Sequence, residues 1–248
     1  MEYMSRTAAA VTLCLVALAG GAAQSTTPPG FTALFNGRDL SGWRIPAGDN
    51  GHWRVVDGVI DYDAMSEASD DKSLWSEGEY GDFELRVDWR LKDVPYPNRN
   101  VPIILPDGTH KKGPDGKDIL MTVPDADSGI YLRGVPKAQV NIWNWPVGSG
   151  EVYGYRTDEK QPAAVRAGVT PKTAADRHIG EWNTFAITVR GDRLDVVLNG
   201  KTVIEHAQLP GVPARGRIAL QHHGAGRDGA WTSPPSLVQF RNIFIRQL

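Results

Sequence analysis

Cysteine is almost missing from the chain: Cys14 is the only one in 248 residues, and it lies in an apolar N-terminal stretch. A disulfide framework is excluded, so the fold must rely on its own core, which a chain of this length can supply. A surplus of charge is missing too. The 27 basic residues stand against 29 acidic ones, which argues against nucleic acid as a partner, because such binders carry a basic excess. No apolar run is long enough to span a bilayer comfortably. His-Glu-x-x-His, a phosphate loop, a dinucleotide glycine fingerprint and a nucleophile elbow are all absent, which counts against zincin, nucleotide and serine-hydrolase chemistry. No internal repeat or heptad is present. What is abundant is turn chemistry, with 27 Gly and 17 Pro, together with 8 Trp. Many short elements are expected, and long helices are not.

Residues 1–23 read as a signal peptide rather than as fold. Arg6 supplies the charged start, an apolar stretch runs from about Thr7 to Ala19, and Gly20, Gly21, Ala22 and Ala23 offer a small-residue cleavage site before Gln24. Export to the periplasm or the extracellular space is the expectation, with no membrane span in the mature chain. Residues 24–30 read as a linker, and a single domain is expected over residues 31–248.

Beyond the linker the dominant period is two. Phe83, Leu85, Val87, Trp89 and Leu91 alternate with Glu84, Arg86, Asp88 and Arg90. Similar alternation marks Ile130–Arg133, Gln139–Trp143, Phe185–Val189, Leu194–Leu198, Ile218–His223 and Val238–Ile245. Asp57-Gly58 and Asn199-Gly200 sit between apolar runs as hairpin turns. Such alternation means half-buried antiparallel strands. The spacing predicts an all-β jelly-roll sandwich of two antiparallel sheets with long loops at the rim. The best place for a short helix is within residues 163–177. Two connections are long, Asp93 to Asp127 and Tyr155 to His178. The first contains Pro95, Pro97, Pro102, Pro106, Pro114 and Pro124, and is expected to be a loop at the rim of the binding face.

The polar faces of the strands carry the candidate chemistry. Asp88, Arg133, Gln139, Asn141, Trp143, Gln221 and His223 share an outer face if the registers agree, and Asp88, Arg133, Asn141 and His223 are expected to converge there. Carboxylates, amides and Arg bind vicinal hydroxyls, and Trp covers the apolar face of a sugar ring. Clustered amides beside Trp143 and Trp145, in the run Gln139-Val-Asn-Ile-Trp-Asn-Trp145, are poor choices for a plainly solvated strand. In His222-His223-Gly224, adjacent histidines point to opposite faces and cannot form a simple metal pair. Parity with Gln221 makes His223 the outward one, a natural base near neutral pH. Asp61-Tyr-Asp63, followed by Glu67, is a faint match to the acid pair of retaining glycosidases.

Phe31-Thr-Ala-Leu-Phe-Asn-Gly-Arg-Asp-Leu-Ser-Gly-Trp43 resembles the opening of the 3-keto-disaccharide hydrolase domain family. Tyr80–Arg90 and Asp127–Arg133 are similar to its central strands, and Leu220–Gly224 and Phe240–Ile245 to its closing motif. The resemblance implies a concanavalin-like jelly roll that removes the C2 proton of a 3-keto glycoside, expels the C1 substituent and adds water. It implies His223 as base, with Glu151 or Asp88 as the alternative or as a metal ligand. Arg133, Gln139, Asn141, Asn144 and Gln221 would anchor hydroxyls, and Trp143 or Trp145 would form a ring platform. Tyr153 joins the substrate-binding set. A divalent cation, Ca or Mg, is the one cofactor expected, with no organic cofactor, and a sugar or glycoside the partner. The chain departs from the family pattern at Gln139, Asn141 and Asn144, where many members read Glu-x-Gln-Ile-x-Asp, and at Asp127, where Asn is usual. Glu151 restores a carboxylate nearby. The competing reading is a non-catalytic, lectin-like carbohydrate-binding module on the same face.

Overall fold

Two-residue turns with both central residues in the left-handed region build the hairpins. Asp57 and Gly58 have φ of 50° and 78°, and Asn199 and Gly200 have 52° and 80°. These are the type I′ values that match the twist of flanking strands. Around them a computed structural model describes residues 25–248, and the segment expected to be a signal peptide lies outside the described residues.

The strands are β1 (Thr32–Ala33), β2 (Trp43–Arg44), β3 (Arg54–Val56), β4 (Val59–Tyr62), β5 (Leu74–Tyr80) and β6 (Phe83–Leu91). Next come β7 (Tyr96–Pro102), β8 (Leu120–Asp125), β9 (Asp127–Leu132) and β10 (Val135–Trp143). The helices α1 (Tyr153–Arg156) and α2 (Ala163–Gly168) follow. The chain continues with β11 (Asn183–Arg190), β12 (Arg193–Leu198), β13 (Lys201–Gln208), β14 (Gly216–Leu220), β15 (Gly226–Arg227), β16 (Ala230–Trp231) and β17 (Val238–Gln247).

They form an eight-stranded sheet ordered β13-β12-β11-β6-β17-β4-β3, with β1 also on β17, and a five-stranded sheet ordered β10-β9-β14-β5-β2. All the pairings are antiparallel. The jelly-roll sandwich expected from the alternation is the fold. Phe83, Leu85, Val87, Trp89 and Leu91 of β6 face Ile130, Leu132, Val140, Ile142, Ile218 and Leu220 of the smaller sheet, and none is more than 3% exposed. Each such side chain contributes roughly 1.5–3 kcal/mol through removal from water.

The long connection after β6 is not a loop. Strands β7 and β8 pair with each other as a separate ribbon, prolonged by the bridges Ile104–His110 and Lys112–Asp118. The prolines discourage helix and central strand, and in place of the expected loop Pro97 stands opposite Pro124 and Pro102 opposite Leu120 in a ribbon. A two-stranded ribbon leaves each strand one free edge, where the missing N–H costs nothing. The expected short helix is α2, and α1 was not foreseen.

One end of the sandwich is closed by Arg133. It occupies the β9–β10 turn with Gly134, both at positive φ, and is 1% exposed. Its Nε donates to the Gly81 carbonyl at 2.8 Å, and Nη1 donates to the carbonyls of Gly191 at 2.5 Å and Pro213 at 3.1 Å. Nη2 donates to Asp82 at 2.7 Å. The role expected of Arg133, a hydroxyl anchor, is therefore corrected: four of its N–H groups are spent on the turns. Replacing it with Met should leave the three part-buried carbonyls without their donor and cost about 1–3 kcal/mol, read from urea denaturation. A loss below ~1 kcal/mol would mean that water substitutes for the guanidinium.

Candidate functional site

One face of the five-stranded sheet is committed to the core, so alternation sends every second residue to the other face. Registers place these residues in rows. Trp143 stands opposite Asp127, Asn141 opposite Gly129, and Gln139 opposite Tyr131. Ala219 faces Tyr131 on one side and Trp75 on the other. Gln221 extends the second row through its N–H to the Gly129 carbonyl. His223 follows on the same parity.

The middle of the face is a locked amide pair. Gln139 Nε2 donates to Gln221 Oε1 at 2.5 Å and to the Ser128 carbonyl at 3.1 Å. Gly129 makes this possible, because a Cβ there would lie 2.4 Å from Gln139 Nε2. The two glutamines, 9% and 7% exposed, thus form a floor rather than a pair of free anchors. Asn141 is 2% exposed and lies beside them. Tyr131 adds a phenol whose pKa burial pushes up to about 12, with Gln221 hydrogen bonding in opposition. Its ring centroid is 5.6 Å from that of Trp75. Neither aromatic was singled out from the sequence, although Tyr131 has the same parity as Asp127.

His223 stands at the end of the face, half-buried and held on two sides. Its backbone N–H donates to Ser236 Oγ at 2.6 Å, and that hydroxyl donates to the Asp127 carbonyl at 2.7 Å. Its Nδ1 lies 2.6 Å from the Pro234 carbonyl. A carbonyl only accepts, so Nδ1 carries the proton and Nε2 keeps its lone pair. His222 turns the other way, with Nδ1 2.6 Å from Tyr62 Oη. Burial, and to a lesser degree Lys72, lowers its pKa to about 4. Neutral His222 accepts from Tyr62, whose ring stacks on Trp53 at 3.7 Å.

Beside His223 lies a carboxylate cluster that the sequence revealed only in part. Asp125 ends β8 and Asp127 opens β9. Asp125 Oδ2 accepts from Asn98 Nδ2 and from Trp145 Nε1, both at 2.8 Å. Glu151 is fully buried, and its Oε1 accepts from Arg156 Nε at 2.5 Å. One oxygen of each acid, Asp125 Oδ1, Asp127 Oδ1 and Glu151 Oε2, is shielded from solvent without a partner. Burial pushes Asp127 up to about 7, and the charges of Asp125 and Glu151 add to the rise while His223 opposes it. Burial likewise pushes Glu151 up to about 7 against the pull of Arg156.

Other expected members do not join. Asp88 lies on β6 in the other sheet, whose outer face points away from His223. Its carboxylate accepts from Thr184 Oγ1 at 2.6 Å and Asn242 Nδ2 at 2.7 Å. Thus the expected convergence holds for Asn141 and His223 and fails for Asp88 and Arg133. Trp143, 3% exposed, is stacked under Trp145 at 4.1 Å and is no ring platform. Trp145 itself is half-buried and fastened to Asp125. Asn144 Nδ2 donates to the Pro124 carbonyl at 2.8 Å, tying the ribbon to the site. Tyr153 is 43% exposed on α1, edge-on to Trp143. Asp61 is held by Lys92, Arg54 and Gln239, and Asp63 by His52, so the faint glycosidase match is a set of satisfied ion pairs. Among the described residues no group of three or more His, Cys, Asp or Glu is arranged to hold a metal ion.

The raised carboxyl pKa values set a pH dependence. In the unfolded chain Asp127 and Glu151 titrate near ~4; folded, both titrate at about 7. Between those values the folded state binds more protons at these two sites, so their contribution to stability is greatest below about pH 4 and falls as pH rises towards 7. Asp127→Asn should flatten this fall and raise stability near pH 8, leaving it unchanged near pH 4. Urea unfolding across that range checks it, and parallel curves for the two proteins would show that Asp127 is ionised as readily folded as unfolded.

The arrangement can now be set beside known proteins. Two proposed glycosyl hydrolases from Parabacteroides distasonis share the fold. One is 19% identical, covering 88% of this chain and 94% of that one, with a TM-score of 0.55. The other is 21% identical, covering 89% and 85%, with a TM-score of 0.54. Among curated proteins no relative matches. The family model described as a 3-keto-alpha-glucoside-1,2-lyase-like domain matches residues 30–246, nearly all the described chain, and the protein belongs to that family.

Proposed function

We propose that the protein cleaves 3-keto glycosides by C2 deprotonation, elimination and hydration. The observation that carries the reading is His223: its Nδ1–H is committed to the Pro234 carbonyl, which leaves Nε2 basic on the polar face beside Asp127. A ketone at C3 acidifies the proton on C2. His223 Nε2 takes that proton, and the electron pair passes into the C3 carbonyl as an enolate. The enolate collapses to a C1–C2 double bond, and the C1–O bond breaks with its electrons leaving on the aglycone oxygen. That oxygen needs a proton. Asp127, whose carboxyl burial pushes up to about 7, supplies it from its protonated form. Water then adds to C1 and gives its proton to the Asp127 carboxylate, while His223 returns the proton to C2; both groups regain their starting states, and the products are the free 3-keto sugar and the alcohol. Asn141, on the same face, would donate to the enolate oxygen. No step is routed through a cation.

Glu151 takes a supporting role here, because its carboxylate is fully buried against Arg156. The N-terminal segment supports placing this chemistry outside the cytoplasm.

The test pairs matched 3-keto and unoxidised disaccharides and follows released sugar, with and without chelator. The keto substrate should be consumed and the unoxidised one left intact, since no enolate can share the charge without the ketone. His223→Ala should reduce turnover by roughly 10²–10⁴-fold with little change in affinity. Equal cleavage of both sugars would point to an ordinary glycosidase, and binding without cleavage of either would favour the lectin-like module. Loss of turnover on chelation would require a metal in place of the proton chemistry.

A further inference from the structure

The same outer face does not end at Tyr131 and Trp75. Along β14, residues 217, 219 and 221 share the parity of His223, and at ~3.3 Å per residue the distance from His223 to Arg217 is roughly 20 Å. There the face opens into a depression of about 460 Å³, lined by Trp75, Arg44, Arg133, Arg215, Arg217 and Glu79, among others. The charge in it is unbalanced. Arg133 is neutralised by Asp82, and Arg217 reaches Glu79 at 3.2 Å. Among the described residues no carboxylate pairs with Arg44 or Arg215, both of which are exposed. The Nε of Arg217 is shielded from water and has no acceptor. Three guanidinium groups therefore meet one carboxylate around the half-buried indole of Trp75.

Guanidinium forks match planar carboxylates and the oxygens of sulfate through paired, charge-assisted hydrogen bonds. An indole beside them offers an apolar face to a sugar ring. We infer that this depression is a subsite for an anionic sugar unit, carrying a carboxylate or a sulfate, in a glycan whose scissile unit lies towards His223. The inference rests on reading this face as a carbohydrate site, and it adds the charge of the substrate. The acidic cluster by His223 and the arginine end then give the groove a polarity, so that a glycan anionic at one end enters in one direction.

Binding to ligands unoxidised at C3 tests it independently of cleavage. Titration calorimetry would compare a neutral hexose oligosaccharide, the same oligosaccharide with one uronate carboxylate, the same with one O-sulfate, and inorganic sulfate. At low salt one of the anionic oligosaccharides should bind about tenfold more tightly than the neutral one, with the contrast shrinking as salt rises. Which anionic form gains identifies the group. Arg215→Ala and Arg44→Ala, at exposed side chains without ion-pair partners, should together erase the preference and leave neutral binding and thermal stability unchanged. Equal affinity for neutral and anionic forms, a preference that survives the double variant, or inorganic sulfate binding as tightly as the oligosaccharides would each overturn the inference. Failure of the 3-keto cleavage test would leave it standing.

Discussion

The Arg133 guanidinium holds together the end of the sandwich where the chain passes between sheets. Gly81 and Asp82 form the β5–β6 crossing, and Pro213 lies on the β13–β14 crossing. Both crossings carry the chain from one sheet to the other, and Gly191 adds the β11–β12 turn. Part-buried backbone carbonyls gathered this closely are satisfied together by one guanidinium, and each one left unpaired would cost free energy. The approach is tight enough that a Cβ on Gly216 would lie 2.2 Å from the Arg133 carbonyl oxygen. Because Arg133 sits in the β9–β10 turn, the clamp also fixes the strands that carry Asp127, Gln139 and Asn141. A residue that looks like a ligand anchor by type thus acts on the site by holding its strands in place.

Much of the fold was legible because burial of one sheet face forces a period of two. β6 occupies Phe83–Leu91, and the Asp-Gly and Asn-Gly turns take the backbone conformations their sequences favour. The site was less legible. Parity told which residues point outward, and it correctly separated His223 from His222. It could not tell which sheet a strand joins, and so Asp88 was grouped with residues on the opposite side of the molecule. Nor could it tell a free side chain from one satisfied by a distant backbone group, which is where Arg133, Asn144 and Trp143 misled. Prolines in residues 93–127 were read as strand breakers because the sequence does not reveal that the ribbon has free edges.

The carboxylates gathered from that ribbon and from β9 explain why the amides matter. Three acids with shielded, unpartnered oxygens already lie near one another, and like charges at close range disfavour further ionisation. Acids at positions 139 and 144, as in the usual family pattern, would add negative charge to this end of the face. Gln139 and Asn144 instead contribute neutral hydrogen bonds, one to Gln221 and one to the ribbon. With the added charge absent, burial is the largest influence on Asp127 and Glu151 and pushes both up to about 7, against the pull of His223 on the first and Arg156 on the second.

A base and an acid must differ in protonation at the same pH, and the surroundings here enforce the difference. His223 has its proton assigned to Nδ1 by a carbonyl that cannot donate, which leaves Nε2 ready to accept. The Asp127 carboxyl is pushed up to about 7 because the fold removes water from its Oδ1 without supplying a donor. The two groups are tied through Ser236, whose hydroxyl accepts from the His223 backbone and donates to the Asp127 backbone. A shift of either strand would therefore carry both groups together. The buried Ser236 contact holds His223 and Asp127 in register across the gap between β9 and the strand end after β14, and the proposed elimination needs that register because proton removal at C2 and proton delivery to the oxygen on C1 occur at adjacent ring carbons.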